Sequence, residues 1–223
     1  MSSAVPPVRP VVVFDAFGTL FDVHSAVARN AANVGPAAAR LSEIWRAKQL
    51  EYTWTLSLMG RYEPFWRLTE RALDHALART PEVDPALREA LLSSYRSLDA
   101  YGEVPGTLAR LRARGAKTAI LSNGDEAMLA DAVAAAGIGA ALDAVLSVDA
   151  VRVFKTDPRT YGLVEARFGC SRDDVLFVSS NRWDVAGAAA FGFSTAWVNR
   201  TGAPDEYLDL PPGVVIGDLG GVR

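Results

Sequence analysis

At 223 residues the chain suits one large domain, or a core carrying a smaller insertion, and is long enough to bury a sizeable core. Half of the residues are hydrophobic and 22% are charged, which excludes an intrinsically disordered protein. A formal net charge of -3 with no Lys/Arg run argues against nucleic acid or an anionic membrane as partner and favours a small molecule.

The start, "MSSAVPPVRP", lacks the charged beginning and apolar stretch of a signal peptide, and no apolar run approaches the roughly 20 residues of a bilayer span. The single cysteine, Cys170, cannot form an internal disulfide and fits a reducing compartment, so a cytoplasmic location is expected. With only His24 and His75, there is no zinc cluster and no Cys–His dyad. The reagents left for catalysis are carboxylates, hydroxyls, Lys and Arg.

Along the chain, "VVVF" at 11–14 predicts a buried strand ending on Asp15 in "FDAFGTLFD". About a hundred residues with helical periodicity follow, enough for a small inserted helical domain. In it, Leu41, Trp45, Tyr52, Leu56 and Met59 trace one face of a long amphipathic helix, and "RYEPFWRLTERALDHAL" predicts a second with Pro64 near its start. "DAYGEVPG", from Asp99, returns the chain to the core. Four more apolar runs then alternate with helical patterns: "TAIL" (118–121), "AVLSV" (144–148), "VLFV" (175–178) and "TAWV" (195–198). The expected fold is α/β, a Rossmann-like open parallel sheet with right-handed crossovers and an inserted helical domain. The expected division is a core of 1–22 and 99–223 and an insertion of 23–98.

Ligands of open α/β sheets bind beyond the carboxyl ends of the strands. Those ends carry Asp15 with Thr19, "SNGDE" (122–126), Lys155 in "VFKTDP", and "SSNRWD" (179–184). Singly, each has a plain structural reading. Asp15 could cap a turn; Ser122, Asn123, Ser180, Asn181 or Asp184 could cap helices; Lys155 could be a solvated charge. Their combination, in order at successive strand ends, points to one site.

"FDAFGTLFDVHSAV", "IWRAKQLEYTW", "LSNG", "FKTDPRTY" and "FVSSNRWDVAGAAAFGF" resemble the L-2-haloacid dehalogenases of the haloacid dehalogenase superfamily, and the resemblance spans nearly the whole chain. It implies a Rossmann-like core under a helical cap, a homodimer, a small 2-haloacid substrate and no cofactor. It further implies that Asp15 attacks C2 of a short-chain (S)-2-haloalkanoate, expels halide with inversion and forms an ester. Water, activated by Asp184, then releases the (R)-2-hydroxy acid. Lys155 keeps Asp15 ionised, and Ser122 with backbone N–H groups near the first motif holds the substrate carboxylate. Arg46 and Asn123 receive the halide. Thr19 and Tyr161 support the site, Ser179 and Asn181 orient Lys155 and Asp184, and Phe17, Leu50, Phe65 and Trp183 wall in the alkyl group. His24 is given no role.

Two rivals compete with this reading. A magnesium-dependent phosphatase of the same superfamily would carry a second Asp two residues after the nucleophile, where this chain has Phe17, which cannot transfer a proton. It would also carry acids where this chain has Ser179, Ser180 and Asn181, and a hard cation requires oxygen ligands with negative charge. A non-catalytic small-anion binder is the other. Three departures from the family pattern bear on substrate range: Thr156 and Asp157 separate Lys155 from Pro158, Ala47 follows Arg46, and Arg182 stands where a small residue is usual.

Overall fold

A computed structural model describes residues 9–222. The reading of the N-terminal segment as lacking a leader falls largely on residues 1–8 and lies outside the described residues. The first strand, β1 (Val11–Phe14), is followed by five helices: α1 (Ser25–Ala28), α2 (Ala31–Val34), α3 (Ala38–Leu58), α4 (Phe65–Arg79) and α5 (Arg88–Arg96). The remainder runs α6 (Val104–Ala113), β2 (Lys117–Ser122), α7 (Glu126–Ala135), β3 (Ala144–Ser147), α8 (Pro158–Phe168), β4 (Val175–Ser179), α9 (Arg182–Phe191), β5 (Ser194–Val198) and β6 (Val214–Ile216). All strand pairs are parallel, in the order β3-β2-β1-β4-β5-β6. No helix of the described residues is long and apolar enough to cross a membrane.

β1 sits at the centre because every one of its residues is apolar and both of its faces are covered. The period-two alternation of a strand sorts its side chains into two cores. Val12 and Phe14 join a cluster that continues into the inserted helices through Phe17, Leu41, Trp45 and Phe65. Val11 and Val13 join a second, with Phe177, Tyr161 and Ala188. The cap therefore shares one face's core with the sheet.

Where the chain leaves for the cap and where it returns, the backbone runs side by side. Phe21 forms an antiparallel bridge with Ala100, the Asp22 N–H donates to the Asp99 carbonyl at 2.8 Å, and the Tyr101 N–H donates to the Leu20 carbonyl at 3.0 Å. Within the cap, α3 packs on α4.

Three expectations about elements change. The buried face of α3 is Leu41, Ser42, Trp45, Gln49, Thr53 and Leu56; Tyr52 is half-buried, and Met59 lies past the helix end, exposed. Thr53 bonds the Leu50 carbonyl of its own helix and Ser42 the His24 ring, whereas Gln49 is satisfied by α4 and α5. Gln49 donates to Thr69 Oγ1 at 2.9 Å and accepts from the Tyr95 hydroxyl at 3.3 Å, while the Trp45 indole donates to the Thr69 carbonyl at 2.9 Å. β3 is an edge strand rather than a buried one, with Val145 exposed, and stops at Ser147. β6 is a strand absent from the sequence reading, since three residues are too few to show a period.

Candidate active site

Asp15 extends β1 by one residue, its N–H donating to the Val178 carbonyl at 2.9 Å, and so reaches the carboxyl edge of the sheet nearly buried. Its Oδ2 accepts from the Asn181 side-chain amide at 2.7 Å, from Thr19 Oγ1 at 3.1 Å and from Ser179 Oγ at 3.3 Å. Both hydroxyls accept a backbone N–H, Thr19 from Ser180 at 2.8 Å and Ser179 from Asn181 at 3.1 Å. Each hydroxyl has a single proton, so those N–H groups leave that proton for Asp15. Asn181 stands at the N-cap of α9 but makes no side-chain cap there; its amide goes to Asp15. Gly18, at φ +90°, turns the chain back so that Thr19 can reach the carboxylate.

Lys155 is buried between two acids. Its ammonium donates to Asp15 Oδ1 at 3.1 Å, to Asp184 Oδ2 at 2.8 Å and to the Leu121 carbonyl at 2.7 Å, which uses all three protons. Burial works against the charge, but the two carboxylates outweigh it and hold the Lys155 pKa above the ordinary lysine value. Asp184 is fully buried and takes its second hydrogen bond, on Oδ1, from the Tyr161 hydroxyl at 2.8 Å. Burial dominates there, and despite Lys155 the Asp184 pKa is pushed up from 3.8 to about 6. Tyr161, buried against that carboxylate, is driven well above the phenol range.

Above Asp15 lies a small cavity of about 10 Å³ lined by Phe17, Arg46, Leu50, Phe65, Ser122, Asn123, Asn181 and Trp183. Arg46 and Leu50 come from α3 and Phe65 from α4, so the cap supplies the roof. Arg46 donates from Nη2 to the Phe17 carbonyl at 3.1 Å and to Asn181 Oδ1 at 3.3 Å. Asn123 accepts the Lys155 N–H at 2.9 Å through Oδ1, and Ser122 Oγ accepts the Gly124 N–H at 3.1 Å. The N–H groups of Ala16, Phe17 and Asn123 meet no acceptor among the described residues. The Phe17 ring packs against Phe65 and Tyr95, each with centroids 5.9 Å away. Among the described residues no group of three or more His, Cys, Asp or Glu side chains is placed to hold a metal ion.

The family model described as haloacid dehalogenase-like hydrolase matches residues 10–192. The chain belongs to the haloacid dehalogenase-like hydrolases. It is 48% identical to (S)-2-haloacid dehalogenase 4A of Burkholderia cepacia, over 89% of this chain and 87% of that protein. It is 47% identical to (S)-2-haloacid dehalogenase 1 of Pseudomonas sp. (strain CBS-3), over 92% of this chain and 90% of that one. It also superposes on the L-2-haloacid dehalogenase of Xanthobacter autotrophicus with chloropropionic acid covalently bound, at a TM-score of 0.86 and 39% identity over 95% and 96% of the two chains.

In this haloacid dehalogenase-like hydrolase the residues read from sequence meet at one place, with differences in what they touch. Thr19 bonds Asp15 and Tyr161 bonds Asp184, while Ser179 and Asn181 reach Asp15 itself rather than Lys155 or Asp184. Two of the three departures are absorbed away from the cavity. Asp157 caps α8 and pairs with Arg159 at 2.8 Å, leaving Lys155 in its bridge. Arg182 is buried with its charge turned outward, to Asp205 at 2.7 Å and to the carbonyls of Tyr207 and Leu210. It anchors the segment after β5 and adds no cation to the cavity.

Two supporting residues escaped the sequence reading. Arg200 donates to the Thr19 carbonyl at 3.2 Å while paired with Glu103 at 2.6 Å. A Cβ on Gly124 would stand 2.5 Å from the Phe17 ring, so the aromatic packing needs a glycine there. The only sequence signal for Arg200 is its place just past the fifth strand, and for Gly124 its place within "LSNG".

Proposed function

We infer that this hydrolase removes halide from short-chain (S)-2-haloalkanoic acids, giving (R)-2-hydroxy acids. The observation that carries the reading is the buried Asp15 carboxylate, held by four donors without a second acid beside it at position 17. One Asp15 oxygen attacks C2 from behind, and the carbon–halogen electron pair leaves with the halide, so an ester forms with inversion. Water then adds to the Asp15 carbonyl carbon, giving its proton to Asp184. Collapse of the adduct breaks the bond to the product oxygen, which takes the proton held by Asp184; the proton left on the new Asp15 carboxyl passes through Asp184 to solvent, which restores both carboxylates.

The chemistry brings an anionic substrate to an anionic nucleophile and sends away another anion. Lys155 offsets the repulsion at Asp15. Ser122 and the free N–H groups of Ala16, Phe17 and Asn123 supply donors for the substrate carboxylate. Arg46 and the Asn123 amide, which donates to no described residue, receive the halide. Thr19, Ser179 and Asn181 fix Asp15, and Tyr161 fixes Asp184. Phe17, Leu50, Phe65 and Trp183 enclose the alkyl group, which favours short chains. Residues 23–98 form the cap over a core of 1–22 and 99–223. The enzyme works in the cytoplasm on its composition, and as a homodimer on family resemblance.

A single turnover with excess enzyme in ¹⁸O-water tests the ester route. Peptide mass spectrometry is expected to find the label on Asp15. Label entering the product alone would exclude the ester, and turnover of phosphate monoesters only with added Mg²⁺ would favour the phosphatase.

A further inference from the structure

Between β3 and α8 the chain has no strand or helix beyond one 3-10 turn at Val148–Ala150, yet it delivers Lys155 to the strand-end site. Lys155 is 1% exposed, and its ammonium lies under three fixed acceptors, Asp15, Asp184 and the Leu121 carbonyl. A shift of the backbone at 155 must therefore lengthen one of those bonds. The same backbone orients a second group of the site. The Lys155 N–H donates to Asn123 Oδ1 at 2.9 Å, which leaves the Asn123 Nδ2 protons for the cavity.

The residues just before Lys155 are gripped from the cap. Ser57, in the last turn of α3, accepts the Phe154 N–H through Oγ at 3.2 Å. Tyr62, in the loop between α3 and α4, donates its hydroxyl to Asp149 Oδ1. The Tyr62 ring packs on Phe154 with centroids 5.1 Å apart, and Phe65 meets Phe154 edge-on at 6.3 Å. Arg152 lays its guanidinium over the same Tyr62 ring, 5.0 Å from the centroid. Burial and the neighbouring Asp149 carboxylate hold the Tyr62 hydroxyl well above the phenol range, so it stays a donor. On the core side, Asp149 accepts the Glu126 N–H at 3.3 Å through its other oxygen.

We propose that Ser57 and Tyr62 are positioning residues of the reaction, cap side chains that set the place of Lys155 and of the Asn123 amide by holding residues 149–154. Neither lines the cavity over Asp15. The proposal rests on the haloacid reading, which gives Lys155 and Asn123 their tasks. Asp184 reports on the result, because it faces Lys155 from the loop, Tyr161 from α8 and Asp15 from β1. Burial raises its pKa, and Lys155 does most to lower it. An ammonium drawn away from Asp184 lowers it less, so the carboxyl then titrates above its present value of about 6.

Tyr62→Phe keeps the ring and removes its bond to Asp149, Ser57→Ala removes the acceptor of the Phe154 N–H, and Ser57→Thr keeps a hydroxyl there. With (S)-2-chloropropionate, Tyr62→Phe and Ser57→Ala are each expected to lower kcat about three- to tenfold with a smaller change in KM, and Ser57→Thr to retain most of kcat. Asp184, followed by ¹³C NMR of its carboxyl carbon and assigned with Asp184→Asn, is expected to titrate about half a pH unit higher in Tyr62→Phe and Ser57→Ala than in wild type. Titration at the wild-type position in both variants would overturn the proposal whatever the fall in kcat, because a merely structural role moves stability and leaves this carboxyl alone. That titration needs no turnover, so wild-type protein that released no chloride would overturn the haloacid reading separately.

Discussion

Phe17 decides more at the scale of a single residue than its chemistry suggests. Its ring lies between Phe65 and Tyr95 and fills the space that Gly124 leaves. Phe17→Asp would put a carboxylate into that packing with no partner, and is expected to cost at least about 3 kcal/mol in urea unfolding without giving Mg²⁺-dependent phosphatase activity. Asp184 makes a different prediction. Its folded pKa, raised to about 6, means that the folded protein binds this proton more tightly than the unfolded chain. The group's contribution to stability is thus greatest in acid and falls as pH rises from 3.8 through about 6. As a base it must be ionised, so kcat should decline as pH drops below about 6. A kcat profile flat down to pH 4.5 would remove Asp184 from the proton transfer.

At the scale of elements, the position of Asp184 depends on how closely α8 approaches α9. The contact is made at Gly187, where a Cβ would stand 2.5 Å from the Tyr161 hydroxyl and 2.7 Å from Thr156 Cγ2. Gly187→Ala must push Tyr161 off Asp184 or part the helices. The expected cost is about 1–3 kcal/mol from overpacking, with a fall in kcat larger than any change in KM. Unfolding and steady-state kinetics on the same preparation check both parts. Helix starts do related work: Asp125 and Asp157 cap α7 and α8 with their own side chains, while Asn181, at the start of α9, gives its amide to Asp15.

Over the whole molecule, the cap has to hold Arg46, Leu50 and Phe65 in place over Asp15. The apolar cluster running from β1 through Phe17 to Trp45 and Phe65 favours closure. Polar contacts across the same boundary set its geometry. Asp125 accepts the Met128 N–H at 3.0 Å as the α7 cap and the Trp66 N–H at 2.9 Å at the start of α4. Asp125→Ala removes both bonds. It is expected to lose about 0.5–2 kcal/mol of stability and to speed hydrogen exchange at the Trp66 amide, read by NMR. Unchanged exchange there would mean that Asp125 serves α7 alone.

The sequence by itself determined the strand-helix alternation, the long helical insertion after the first strand, and the chemical types at the strand ends, Asp15, Ser122, Lys155 and Asp184. These are legible because period, apolar runs and order along the chain are local properties. Only the tertiary structure decided which oxygen each donor reaches: Ser179 and Asn181 on Asp15, Tyr161 on Asp184, and Lys155 on both acids. It also turned Arg182 away from the cavity, placed polar Gln49 on a buried helix face, and added β6 at the sheet edge. Each of these depends on a partner far off in the chain, so hydrogen-bond satisfaction and packing, rather than local pattern, fix the outcome.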